Sequence, residues 1–173
     1  ELKVLARYYA EFVEKNGGSW KDVPAQDVNI NPQIMAWMLE RYEEEVGRHE
    51  PATFTGKPIE LGGSLGRTEA TGQGGVYVLE AYADAMNLPP QDIRIAVQGF
   101  GNVGYWFSVL AQEVGFNVMA VSDSSGGLMS EEGLDVSQVY ELKKEYGSMK
   151  KAFEDYDKSE FTFITNEELL ALD

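Results

Sequence analysis

The sequence predicts an α/β fold built around a dinucleotide-binding βαβ unit, and three observations carry that prediction. Ile93, Ile95 and Val97 alternate as a buried strand does. The run breaks at Gly99-Phe100-Gly101-Asn102-Val103-Gly104, a Gly-x-Gly-x-x-Gly turn followed by helical spacing at Val103, Phe107, Leu110 and Val114. A second strand, Phe116 to Val121, ends in Ser122-Asp123-Ser124, which puts an acid about 20 residues beyond the turn, where ribose recognition wants it. In that context each glycine has a separate task. Gly99 permits the tight turn, Gly101 lets a pyrophosphate come close to the backbone, and Gly104 lets the helix pack on the strand. The N–H groups at the helix start, around Asn102 and Val103, would face the phosphate charge with help from the helix dipole. Without its flanking strands the same pattern would be an ordinary glycine-rich loop.

Composition narrows the classes. With 29 acidic against 14 basic residues the net charge is -15. Such a field repels nucleic acid and anionic membrane, so neither is expected as a partner. An anionic ligand must therefore meet local cations and backbone N–H donors. The absence of cysteine excludes disulfides, thiol nucleophiles and cysteine–metal sites, and no metal site is predicted. A hydrophobic fraction of 43% excludes disorder as the main state. No apolar run reaches membrane-spanning length and Glu1-Leu2-Lys3 is not a signal peptide, so the expected location is the cytoplasm.

Taken in order, Leu2, Leu5, Tyr9, Phe12 and Val13 predict an amphipathic helix from Leu2 to Lys15, with that stripe as its buried face. Asn16-Gly17-Gly18 stops it. Residues 22–29 have no helical period, and Pro24 biases Val23 towards extended backbone. Asn31-Pro32 opens a second helix, Asn as cap and Pro in the first turn, with Ile34, Trp37, Met38, Tyr42 and Val46 inward. His49 reads as a surface residue with no evident partner. Glycine and proline punctuate residues 48–66 and mark a domain junction. A helix from Thr68 or Glu69 to Met86 carries Gly72, Gly74 and Gly75 in its first half, which implies close approach by another backbone or a ligand. Beyond the second strand, Val136, Val139 and Tyr140 mark a helix, and Ser148–Ser159 reads as a polar stretch. Phe161 to Ile164 reads as a short strand, and Thr165-Asn166-Glu167-Glu168 has the capping-box pattern.

Three stretches go beyond the fold. Asp22-Val23-Pro24-Ala25-Gln26-Asp27 resembles the segment around the catalytic aspartate of glutamate dehydrogenases. Phe54-Thr55-Gly56-Lys57-Pro58, with Gly62 through Gly72, is similar to that family's interdomain segment. Val97 through Gly104, with Val121-Ser122-Asp123-Ser124, is similar to its nucleotide-binding core. The resemblance covers nearly the whole chain, in the family's order. It implies a Rossmann-like dinucleotide-binding domain, incomplete and spanning 66–173, preceded at 1–65 by the C-terminal part of a substrate-binding and oligomerisation domain. It implies reversible oxidative deamination of L-glutamate to 2-oxoglutarate and ammonia with NAD or NADP, in a homo-hexamer.

Residue by residue, Asp27 matches the catalytic aspartate, which desolvation in a cleft would tune for proton transfer. Its other reading is a loop carboxylate capping the helix at Asn31. Arg67 and Thr71 match positions that approach the nicotinamide side of the coenzyme, although Arg67 also reads as a surface ion-pair partner. Lys57 lies in the family motif without an assignable step. Asp123 would bond the ribose hydroxyls of NAD and repel the extra phosphate of NADP, whereas Ser122, Ser124 and Ser125 would bond that phosphate if Asp123 turned away. The acid leans the expectation to NAD. The family's lysine-bearing glycine-rich stretch would lie ahead of Glu1 and the rest of the nucleotide domain after Asp173. The chain is therefore expected to be an internal piece of a longer enzyme, without turnover by itself. The alternatives are a non-catalytic nucleotide-binding paralogue or split subunit, and another amino-acid dehydrogenase of the family.

Overall fold

Helix α1 (Leu2–Asn16) buries Ala6, Ala10 and Val13, and it is these small residues that let it lie close to α2 (Pro32–Val46). In the computed structural model, which describes residues 1–27, 29–156 and 160–172, the chain divides into two units, Glu1–Arg67 and Thr68–Asp173. Within the first unit the apolar stripe expected to be buried on α1 faces out instead. Leu2, Leu5, Tyr9 and Phe12 are all exposed, and only Val13 of that set is buried. The inward face was chosen by size: alanines permit close helix contact, and larger side chains would hold the helices apart. Arg7 bridges to Glu40 and Glu44, and Arg41 to Glu11, so charges line the α1–α2 seam.

Helix α2 starts as the sequence predicts. The Asn31 side chain accepts from Ile34 N at 3.0 Å, Pro32 occupies the first turn, and Gly47 ends the helix in the left-handed region. Ile34, Met35, Met38, Leu39 and Tyr42 are buried, and Tyr42 meets Phe54 edge-on at 5.8 Å. Among its described residues, the segment between α1 and α2 carries one bridge, between Gly18 and Asp22, and is otherwise irregular; Val28 lies outside the described residues. The segment is tied to the later loop by Thr55 N donating to Pro24 O at 3.1 Å and Gln26 Nε2 to Gly56 O at 2.7 Å. His49 is exposed as expected, yet it has a partner, with Nδ1 at 2.8 Å from Glu43 Oε1.

Among the described residues the second unit carries a mixed four-stranded sheet in the order β1 (Arg94–Gln98), β2 (Asn117–Asp123), β3 (Gly126–Met129), β4 (Thr162–Ile164). Strand β1 (Arg94–Gln98), helix α4 (Asn102–Val114) and parallel strand β2 (Asn117–Asp123) form the predicted βαβ unit. Strand β1 is less buried than its alternation suggested. Ile95 and Val97 are half-buried and Ala96 is exposed, because among the described residues β1 pairs on one side alone, with β2. Strand β2 carries the core: Val118 through Ser122 are all buried.

Helix α3 (Ala70–Met86) packs on α4 through its glycines. A Cβ on Gly72 would meet Phe107 N at 2.5 Å, and one on Gly75 would meet the Phe107 ring at 2.8 Å, so another helix explains these two glycines, whereas a Cβ on Gly74 would meet nothing within 4 Å. Helix α4 likewise buries small residues, Gly104, Ser108 and Ala111, while Val103 and Val114 lie exposed. Two elements were not predicted. Strand β3 (Gly126–Met129) turns back antiparallel on β2 through Ser124-Ser125, and α6 (Met149–Asp155) lies within the stretch read as polar. Helix α6 is capped by Ser148 and holds Met149 and Ala152 in the core; the end of that stretch, 157–159, lies outside the described residues. Helix α5 (Val136–Tyr146), strand β4 (Thr162–Ile164) and the capping box opening α7 (Asn166–Leu169) fall where expected. No helix among the described residues is long and apolar enough to cross a membrane.

Candidate dinucleotide-binding site

The three glycines of the turn stand in three different physical circumstances. Gly99 has φ +95, a left-handed backbone that side chains disfavour, and its N–H donates to Ser122 O at 2.9 Å, stitching the turn to the end of β2. Gly104 has no room: a Cβ there would fall on the Gly99 carbonyl oxygen and lie 3.4 Å from Val97. Gly101 meets neither constraint. Its φ of -91 suits any residue, and a Cβ would find no heavy atom within 4 Å. The fold itself therefore does not demand glycine at 101.

Helix α4 begins at this turn with Gly101 as N-cap and no side chain capping it. Its first-turn N–H groups have no intrahelical acceptors, and the dipole adds partial positive charge. Asn102 is spent on structure, Nδ2 donating to Thr68 O at 2.9 Å and so holding the lead-in of α3 beside the turn. Val103 is exposed, as is Thr71 in the first turn of α3.

At the end of β2 the three polar residues part company. Ser122 is fully buried and its Oγ donates to Asn166 Oδ1 at 2.7 Å, so the hydroxyl expected to meet a phosphate is turned into the fold. Ser124 is exposed. Asp123 Oδ1 accepts from Ser125 N at 2.8 Å and Ser125 Oγ at 2.6 Å, and Oδ2 accepts from Met149 N at 3.2 Å. Lys143 Nζ stands 3.5 Å from Oδ2. Burial pushes the Asp123 carboxyl up, but these hydrogen bonds and the Lys143 charge outweigh it and hold the carboxyl below its ordinary value. Lys143, Met149 and Asn166 gave no sequence signal; they reach this point from α5, α6 and α7, and only the chain's path brings them there.

The remaining predicted residues belong to the first unit. Asp27 is exposed on the irregular segment before α2, and its carbonyl accepts from Ile30 N at 3.0 Å. Asn31, not Asp27, makes the α2 cap. Arg67 is exposed. Lys57 is structural: Nζ donates to Phe54 O at 2.8 Å, and burial lowers its pKa from the ordinary lysine value.

Comparison with known proteins settles what kind of chain this is. Residues 62–173 match the family described as Glutamate/Leucine/Phenylalanine/Valine dehydrogenase, and residues 1–44 match the dimerisation domain described for the Glu/Leu/Phe/Val dehydrogenases. The chain belongs to this family. Along its whole length it is 44% identical to the glutamate dehydrogenase of Thermotoga maritima and 39% identical to the cryptic catabolic NAD-specific glutamate dehydrogenase of Bacillus subtilis. It spans 40% and 39% of those two dehydrogenases. Among solved structures, the hetero-hexameric glutamate dehydrogenase of Thermus thermophilus superposes with a TM-score of 0.88 at 36% identity, covering 100% of this chain and 39% of that one. The Rossmann-like reading of the βαβ unit is thus the fold these dehydrogenases share. The family implies a nicotinamide cofactor.

Proposed function

We propose that the protein carrying this chain converts L-glutamate, NAD(P)⁺ and water into 2-oxoglutarate, ammonium, NAD(P)H and a proton, and runs the reverse. The observation that carries the proposal is Gly101, glycine at a position where the fold has no need of it, at the uncapped start of a helix. That cradle fits a pyrophosphate, which is drawn to first-turn N–H donors and tolerates no side chain between itself and the backbone. When bound, the nicotinamide supplies the acceptor for hydride from the substrate α-carbon.

The chain's own residues do the rest. Gly99 and Gly104 shape the turn, and the backbone around Gly101, Asn102 and Val103 meets the phosphates. Thr71 and Arg67 offer donors towards the nicotinamide side. Asp27 moves protons at the substrate nitrogen and the attacking water. Ionised Asp123, its carboxylate held within the fold at the end of β2, repels the extra phosphate of NADP and so favours NAD, and the neighbouring Lys143 charge keeps that discrimination modest. The likeness to the Thermus enzyme supports a hexamer. The site for Asp27 and glutamate is completed by the full-length protein in the cytoplasm.

The test is a spectrophotometric assay of the full-length protein with glutamate and each coenzyme. Glutamate-dependent reduction of NAD, with a smaller kcat/KM for NADP, is expected. No turnover with either coenzyme refutes the proposal.

A further inference from the structure

Lys143 does more than face Asp123. Its Nζ donates to the carbonyl oxygen of Phe100, inside the glycine turn, at 2.7 Å. The side chain of Phe100 is buried and held edge-on by Tyr105 and Tyr140, each at 6.1 Å. Residue 100 is therefore anchored at both its side chain and its carbonyl, while Gly99 and Gly101 on either side have open space where a Cβ would be. The Phe100–Gly101 peptide is trans and planar, so its C=O and the Gly101 N–H point in opposite directions as one rigid plate. A cation on the carbonyl sets where that N–H aims. It also polarises the peptide and strengthens the donor.

We propose that Lys143 is a positioning residue that pre-orders the glycine turn for a dinucleotide pyrophosphate. It pins the Phe100 carbonyl so that the Gly101 N–H is aimed outward before the ligand arrives, and Asp123 is the counter-charge that keeps the ammonium in place. Lys143 itself need not touch the coenzyme. This rests on the reading of the turn as a pyrophosphate cradle.

The test uses the full-length protein and equilibrium titrations with NADH, ADP-ribose and adenosine. Lys143→Met keeps the stem and removes the charge. It should weaken NADH and ADP-ribose about 10-fold, the scale of one lost charge-assisted hydrogen bond. Adenosine, which has no pyrophosphate, should bind within twofold of wild type, and the KM for glutamate should move less than twofold. Lys143→Arg restores a cation and should recover most of the loss; it also serves if the Met variant does not fold. Equal loss for adenosine and ADP-ribose, or equal loss in the Arg and Met variants, overturns the proposal, as does unchanged NADH affinity in a folded Met variant. Wild-type protein that binds neither NADH nor ADP-ribose would remove the cradle reading itself, and that outcome is distinct from the others.

Discussion

Gly104 stands against the carbonyl oxygen of Gly99 with no space for a methyl group between them. Gly101, in the same turn, has nothing near the place a methyl group would occupy. The two positions separate folding from binding. Gly104→Ala should cost about 3 kcal/mol of stability by overpacking against backbone that cannot yield. Gly101→Ala should change stability by less than about 1 kcal/mol, and should still lower NADH affinity at least tenfold. Thermal melts and NADH titrations of the two variants in the full-length protein check this. Unchanged affinity in Gly101→Ala would remove the main support for the cradle.

The Asp123 carboxyl lies below its ordinary value in the folded protein, so its ionised form contributes stability. That contribution is complete above the unfolded value of about 4 and disappears as pH falls through the folded one. Asp123→Asn should cost about 1–3 kcal/mol at pH 7, the scale of hydrogen bonds to a charged group. The gap in Tm between variant and wild type should narrow steadily below about pH 4. A gap independent of pH would mean the carboxylate charge contributes nothing.

Asp27→Asn should lower kcat of the full-length protein about 10²–10⁴-fold, the usual yield of a positioned acid or base. NADH affinity should stay within about twofold, since the substitution is nearly isosteric and the proposed task of Asp27 is proton transfer on the substrate rather than a contact with the coenzyme phosphates. A kcat within threefold of wild type would return Asp27 to the role of a loop carboxylate.

What the sequence showed and hid follows from the range of the forces involved. The turn at Gly99–Gly104, the Asn31-Pro32 helix start and the Thr165–Glu168 capping box are local, set by φ, a missing N–H or a side chain three residues away, and all three were legible. The inward face of α1 was not, because its pattern of large apolar residues pointed one way and the close approach of α2 selected the alanines. Strand β3 was hidden because it opens on Gly126-Gly127, residues that mark turns more often than strands. Helix α6 was hidden by its lysines and acids, although Ser148, Met149 and Ala152 carried the cap and the buried face. In the site, Ser122 looked equivalent to Ser124 until Asn166 claimed its hydroxyl. Lys143 is a long-range partner of both Phe100 and Asp123, and no spacing rule reports such a contact.

The contacts between helices in both units rest on small residues: Ala6 and Ala10 on α1, Gly72 and Gly75 on α3, and Gly104, Ser108 and Ala111 on α4. Tolerance of the fold to mutation therefore runs against side-chain size. Leu5, Tyr8 and Val78, exposed in this chain, are open to replacement as far as folding is concerned. One added methylene at Ala10 or Ala111 pushes two helices apart. A catalogue of tolerated substitutions would place its tightest constraints where the sequence looks least distinctive.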